Sequence, residues 1–118
     1  MAIKEEWLQA GIKTNKMTLI QAITDGLATM LEADERILLL GEDIGKNGGV
    51  FRATDGLQER FGQERVMDTP LSESGIIGTS VGLAVNGFKP IAEMQFFGFV
   101  YPAYEQIMTH VSRIRMRT

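Results

Sequence analysis

The run Ile37-Leu38-Leu39-Leu40 constrains this chain more than any other feature. Four consecutive branched apolar side chains offer no polar face to water. Ended by Gly41, the run is too short for a buried helix and reads as a strand covered on both sides, as in the middle of a parallel sheet. The preceding segment supplies one cover. Thr18 with Gln21 three residues later forms a capping box, and Leu19, Ile20, Ile23, Leu27, Met30 and Leu31 recur at helical spacing, predicting one apolar face. Glu32-Ala33-Asp34-Glu35 closes that helix.

The same alternation continues. Gly41-Glu42-Asp43 and Asn47-Gly48-Gly49 make a glycine-rich loop. Thr54 to Phe61 reads as a short helix with Gly62 at its C-terminal cap. Arg65 to Asp68 reads as a second strand, stopped at Thr69-Pro70 because proline cannot donate to a ladder. Ser74 to Asn86 is a helix rich in small residues, ended by Gly87. Pro90 to Gln95 is a third strand, Phe96 to Tyr101 an aromatic loop, and Pro102 opens a last helix whose stripe is Ala103, Ile107, Val111 and Ile114. Helices alternating with strands predict an α/β fold with right-handed crossovers, a parallel sheet flanked by helices.

A chain of 118 residues, 44% of them apolar, builds one modest core. Twelve basic against 15 acidic side chains, a net charge of −3, argue against a nucleic-acid surface. The absence of cysteine excludes disulfides, thiolate metal sites and a cysteine nucleophile. No apolar run is long enough to span a bilayer, and Met1 to Glu6 lacks a signal-peptide core, so a cytoplasmic location is expected. Residues 1–16 read as an N-terminal extension, with Trp7 and Leu8 either packing back or reaching a partner. Residues 17–118 form the domain, and the stop at Arg117-Thr118, with no turn signal, suggests a piece of a longer protein.

Ligands of open parallel sheets bind beyond the carboxyl ends of the strands. Two such ends are chemically rich: Asp68 to Gly75 and Glu93 to Phe99. Glu73, between a strand end and a helix start, is the strongest candidate, although the helix dipole alone favours a carboxylate there. Phe96, Phe97, Phe99 and Tyr101 suit core packing or stacking on a planar ligand. Gly75, Gly78 and Gly82 point to close packing, within the domain or across a subunit interface. His110, the single histidine, and Arg113, Arg115 and Arg117 read as surface or packing residues. Glu42 and Asp43 are too few to indicate a metal, and no metal site is expected. Gly45 to Gly49 lacks both the dinucleotide fingerprint and the phosphate-loop ending, which argues against a nucleotide-binding domain.

Gly41-Glu42-Asp43, Gly48-Gly49-Val50-Phe51, Asp68-Thr69-Pro70-Leu71-Ser72-Glu73-Ser74-Gly75, Gly87-Phe88-Lys89-Pro90 and Gln95-Phe96-Phe97-Gly98-Phe99 occur in the order found in a known family. From about Met17 to Thr118 the chain resembles the β subunit of the thiamine-dependent decarboxylating (E1) component of 2-oxo acid dehydrogenase complexes. The resemblance implies a transketolase-like pyrimidine-binding domain, truncated at its C-terminal end, and binding of thiamine diphosphate. Glu73 matches the glutamate that hydrogen-bonds a ring nitrogen of the aminopyrimidine and favours its imino form. Leu71 and Gln95 match pocket-lining residues, and Phe99 the stacking aromatic. The family holds the diphosphate and its magnesium on a partner α subunit, in a heterotetramer with a second β subunit, and passes acyl groups to a lipoyl acyltransferase core. Its active-site histidine lies beyond residue 118, so His110 does not inherit that role. Gln95 to Phe99 is most similar to pyruvate-specific members, with branched-chain and acetoin-cleaving relatives as alternatives. The isolated piece is expected to be inactive, and a non-catalytic assembly module is the competing reading.

Overall fold

A computed structural model describes Gly11 and residues 14–117. The expectations for Trp7 and Leu8 lie outside the described residues. Helix α1 (Leu19–Ala33) begins at the foreseen capping box: Thr18 N–H donates to Gln21 Oε1 at 2.8 Å, and Gln21 N–H donates to Thr18 Oγ1 at 3.2 Å. Strand β1 (Ile37–Gly41) follows, then helix α2 (Leu57–Phe61), strand β2 (Val66–Asp68), helix α3 (Glu73–Val85) and strand β3 (Lys89–Ala92). The sheet has the order β2-β1-β3 and both pairings are parallel. The resulting α/β architecture is the one the alternating pattern predicts.

All five residues of β1 are buried, as a two-faced strand requires. Their side chains alternate between two separate cores. Ile37 and Leu39 join Ala28, Leu31, Ile44, Leu57 and Val66 under α1 and α2. Leu38 and Leu40 join Ile76 of α3, with Met67, Leu83, Ala92 and Met94 packed against them. Only one row of α1 reaches the sheet. Ala28 and Leu31 are buried, whereas Leu19, Ile20, Ile23 and Met30 are exposed, so the expected single apolar face is half uncovered.

Polar groups fix the entry edge of the sheet. Asp34 receives the Arg36 guanidinium at 2.8 Å and Lys89 Nζ at 2.7 Å, tying the approach to β1 to the start of β3. These hydrogen bonds, that of Arg36 foremost, hold the Asp34 carboxyl well below the usual carboxylate range. Arg65 donates to the carbonyls of Asp34 and Ile37 at 2.8 and 2.9 Å, joining the approaches to β1 and β2.

Three elements differ from expectation, the first being α2, which begins at Leu57 rather than Thr54 because Gly56 before it takes a left-handed conformation. The third strand ends at Ala92 rather than Gln95. Its partner β1 stops at Gly41, so after Glu93 N–H donates to Leu40 O the chain has no further ladder to follow. The last helix is broken into a 3-10 turn (Phe97–Ala103), a short α-turn (Tyr104–Gln106), a π-turn (Ile107–Val111) and a final turn (Ile114–Arg117). Of its expected stripe, Ala103 is buried and Val111 is exposed.

The loop from Glu42 to Gly56 is held from below by buried Thr54, whose Oγ1 donates to the Ile44 carbonyl at 2.7 Å. Thr54→Val keeps the shape and leaves that carbonyl without a partner. The expected loss is about 1–3 kcal/mol of stability, read as a lower denaturant midpoint with an unchanged slope.

Candidate functional site

The connections on either side of β1 run over opposite faces of the sheet. From β1 the chain passes through α2, on the Ile37/Leu39 face. From β2 it passes through α3, on the Leu38/Leu40 face, and after β3 the helical turns also pack against α3. The carboxyl ends of β1 and β3 therefore flank the point where the winding reverses, the crevice in which doubly wound sheets bind ligands.

Each strand ends there in an acid. Glu42 follows β1 and Glu93 follows β3. Gly41 permits their approach: a Cβ at residue 41 would stand 2.9 Å from both Glu93 Cβ and Ile44 Cγ2. Glu42 is only 9% exposed. Three buried side-chain oxygens at these strand ends have no hydrogen-bond partner: Glu42 Oε1, Glu93 Oε2 and Thr69 Oγ1. Burial pushes the Glu42 carboxyl up, and the negative charges of Glu73 and Asp43 add to that push. A hydrogen bond from the Ser72 backbone opposes it. Glu93 is raised by burial and then by Glu42. Glu42 thus couples electrostatically to Glu73 on one side and to Glu93 on the other.

Glu73 is the first residue of α3, where the unpaired N–H groups and the helix dipole favour a carboxylate. It is half-buried. Ser72 precedes it as the N-cap residue and makes no side-chain cap, so the helix end is left to other groups. Ser74 Oγ donates to the Pro102 carbonyl, which couples this helix start to the aromatic turn. Gln95 lies over the end of β1, its Nε2 3.4 Å from the Glu42 carbonyl. Phe99 is 46% exposed and meets Phe96 edge to face, with centroids 5.5 Å apart.

Of the residues expected at the site, Glu73 and Gln95 thus gather around Glu42. Phe99 stands on the turn that follows Gln95. Leu71 does not close the group: it is 81% exposed, on the loop before α3. His110 lies in the π-turn, and Arg115 and Arg117 lie in the final turn. Gly78 packs against the Gln106 side chain, 3.5 Å from where its Cβ would be, whereas Gly82 faces open space. Thr69 and Glu93 fall within the two candidate strand-end stretches of the sequence without standing out individually there, and Glu42 reads from the sequence only as a weak metal-ligand candidate. Among the described residues no three acidic, histidine or cysteine side chains form a metal-binding group.

An apolar groove of about 470 Å³ runs between α3, β3 and Val111 and Ile114. Its lining of Ile77, Val81, Val85 and Pro90 carries no titratable group, so it is a packing surface. Among the described residues no helix is long and apolar enough to cross a membrane.

The buried acids make stability depend on pH. A carboxyl with a raised folded-state pKa favours the fold while protonated, and that contribution is lost as pH rises through the folded value. Glu42→Gln removes the charge and keeps an acceptor for Ser72. It is expected to melt a few degrees above the wild type at pH 8. The difference should vanish below the unperturbed glutamate value of 4.5. Thermal melts across that range check the sign, and equal melting at pH 8 would count against the burial of a charged Glu42.

Comparison with known proteins agrees with this geometry. The family model "Transketolase, pyrimidine binding domain" matches residues 15–118. The chain is 57% identical over 103 residues to the pyruvate dehydrogenase E1 component subunit beta of Bacillus subtilis, covering 87% of this chain and 32% of that protein. It is 53% identical, with the same coverage, to the proteins of that name from Staphylococcus epidermidis and Staphylococcus aureus. The chain therefore spans about a third of the length of these curated relatives. A match over nearly all of its residues, on a sheet wound as described, shows that the chain belongs to the family of transketolase pyrimidine-binding domains.

Proposed function

We propose that this chain carries the aminopyrimidine half of the site in the β subunit of a thiamine-diphosphate-dependent 2-oxo acid dehydrogenase, acting on pyruvate. The observation that carries the reading is the group of strand-end acids: Glu73 at the start of α3, backed by buried Glu42. The names of the relatives support the substrate. The donor set suits an aminopyrimidine, because buried oxygens of Glu42, Glu93 and Thr69 lack donors and a heteroaromatic amine supplies them.

Thiamine diphosphate, when bound, supplies the nucleophilic carbon and the electron sink that decarboxylation needs. This chain holds and tunes it. Glu73 would hold a proton between its carboxyl group and a pyrimidine ring nitrogen. Glu42, pushed toward its protonated form by burial and by Glu73, would keep the low-dielectric crevice from accumulating two adjacent charges. Gln95 would line the ring edge, Phe99 its face, and Leu71 an outer wall. None of these residues is cationic, which supports placing the diphosphate and its magnesium on a partner α subunit. A second β subunit and a lipoyl acyltransferase core complete the proposed assembly.

Glu73→Gln keeps the side chain's size and a weak acceptor but cannot hold that proton. In the full-length subunit assembled with its α partner, 2-oxo acid-dependent release of carbon dioxide should fall ~10²–10⁴-fold, with melting temperature little changed. An undiminished rate in a correctly assembled variant would overturn the role given to Glu73.

A further inference from the structure

We propose that Phe51 is a positioning residue for the cofactor ring, holding Phe96 and, through it, the stacking face of Phe99. The proposal rests on the stacking role given to Phe99 above. Phe51 stands on the glycine-rich loop after β1, whereas Phe96 and Phe99 stand on the turn after β3. The two segments meet through their rings: Phe51 and Phe96 pack edge to face with centroids 5.4 Å apart at 69°, and Phe96 and Phe99 do so at 5.5 Å and 76°. Phe96 is the middle ring, held from both sides.

Burial does not explain the arrangement. Phe51, Phe96 and Phe99 are 51%, 46% and 46% exposed, and none belongs to either hydrophobic core. Rings this open are oriented by one another rather than by a surrounding core, and half of each remains available to an added planar group. The loop is built to aim Phe51. Gly49 N–H donates to the Asp43 carbonyl at 2.8 Å, and Thr54 N–H to that of Gly48 at 3.2 Å. Gly45 N–H donates to Asp68 Oδ1 at 2.6 Å, and a Cβ at residue 45, 2.5 Å from Asp68 Oδ2, would have to displace that side chain. Directly after Phe51, Arg52 adopts the left-handed region at φ 60°. A non-glycine residue stays there only when its surroundings impose it. Here the Arg52 guanidinium is held by the Asn47 carbonyl and by Asp55 Oδ1. Phe97 supplies an internal contrast: it is 86% exposed, beside Phe96 in the chain, and takes no part in the ring contacts.

The test uses the full-length subunit assembled with its α partner, and equilibrium calorimetry rather than turnover. Thiamine diphosphate is one probe. Inorganic pyrophosphate, which lacks the ring, is the other. Phe51→Ala should weaken thiamine diphosphate ~3–10-fold, as loss of one edge-to-face contact implies, and leave pyrophosphate unchanged. Phe51→Tyr should restore the affinity, and Phe97→Ala should not alter it. In a Phe99→Ala background, Phe51→Ala should add no further loss, because its effect runs through that ring. If Phe51→Ala does not assemble, Phe51→Leu keeps the apolar bulk without the ring and should still weaken the ring-bearing probe. The proposal is overturned by unchanged affinity in Phe51→Ala while Phe99→Ala weakens binding, by equal weakening of pyrophosphate, or by independent losses in the double variant. Unchanged affinity in Phe99→Ala would instead bring down the stacking role on which the proposal rests.

Discussion

The burial of β1 on both faces is the constraint on which the rest of the structure depends. A strand with no wet side needs a layer above and a layer below, and five residues suffice to organise both. Because its side chains alternate, the two layers are fed by different elements: α1 and α2 on one face, α3 on the other. That division makes the chain leave β1 over one face and leave β3 over the other. The reversal places the carboxyl ends of these adjacent strands beside a crevice instead of under a crossing helix. The location of the site is thus a consequence of covering one hydrophobic strand twice.

The same burial sets the chemistry at the crevice. An acid immediately after a fully buried strand is drawn out of water with it. Glu42 retains one backbone donor, from Ser72, and otherwise faces other acids. Its ionised form is disfavoured by lost solvation before any neighbouring charge is considered. Glu73 stands instead at the first position of a helix, where unpaired N–H groups and the helix dipole favour a carboxylate. The two carboxylates thereby stand in unlike surroundings, one behind a fully buried strand and the other at a helix start.

Much of this was legible in the sequence where a local rule sufficed. The capping box at Thr18 and Gln21, the two-faced run Ile37 to Leu40 and the glycine stop at Gly62 each depend on residues within a few positions, and each appears as expected. Glu73 could be singled out because it sits at a strand-to-helix junction. What escaped depended on distant partners. Glu93 is one residue among several in a candidate strand-end stretch until Gly41, far away in sequence, is seen to make room for it. The length of β3 could not be read from its own residues, because it is set by where β1 stops. The outer face of α1 illustrates the converse: Leu19, Ile23 and Met30 satisfy helical periodicity, yet periodicity specifies a face and not what covers it.

The exposed side of the crevice gives the strongest physical argument for a second surface. Large apolar groups left in water forgo about 25 cal/mol for each Å² they could bury, and Leu71 and Tyr101, exposed at 81% and 73%, stand on the two loops that frame the acids. At the strand ends, oxygens of Glu42, Thr69 and Glu93 are buried without hydrogen-bond partners. A surface that is too apolar for water outside and short of donors within is complementary to a ligand that brings both a planar ring and an amine, seated against a further protein wall. In the proposed assembly that wall belongs to the α partner.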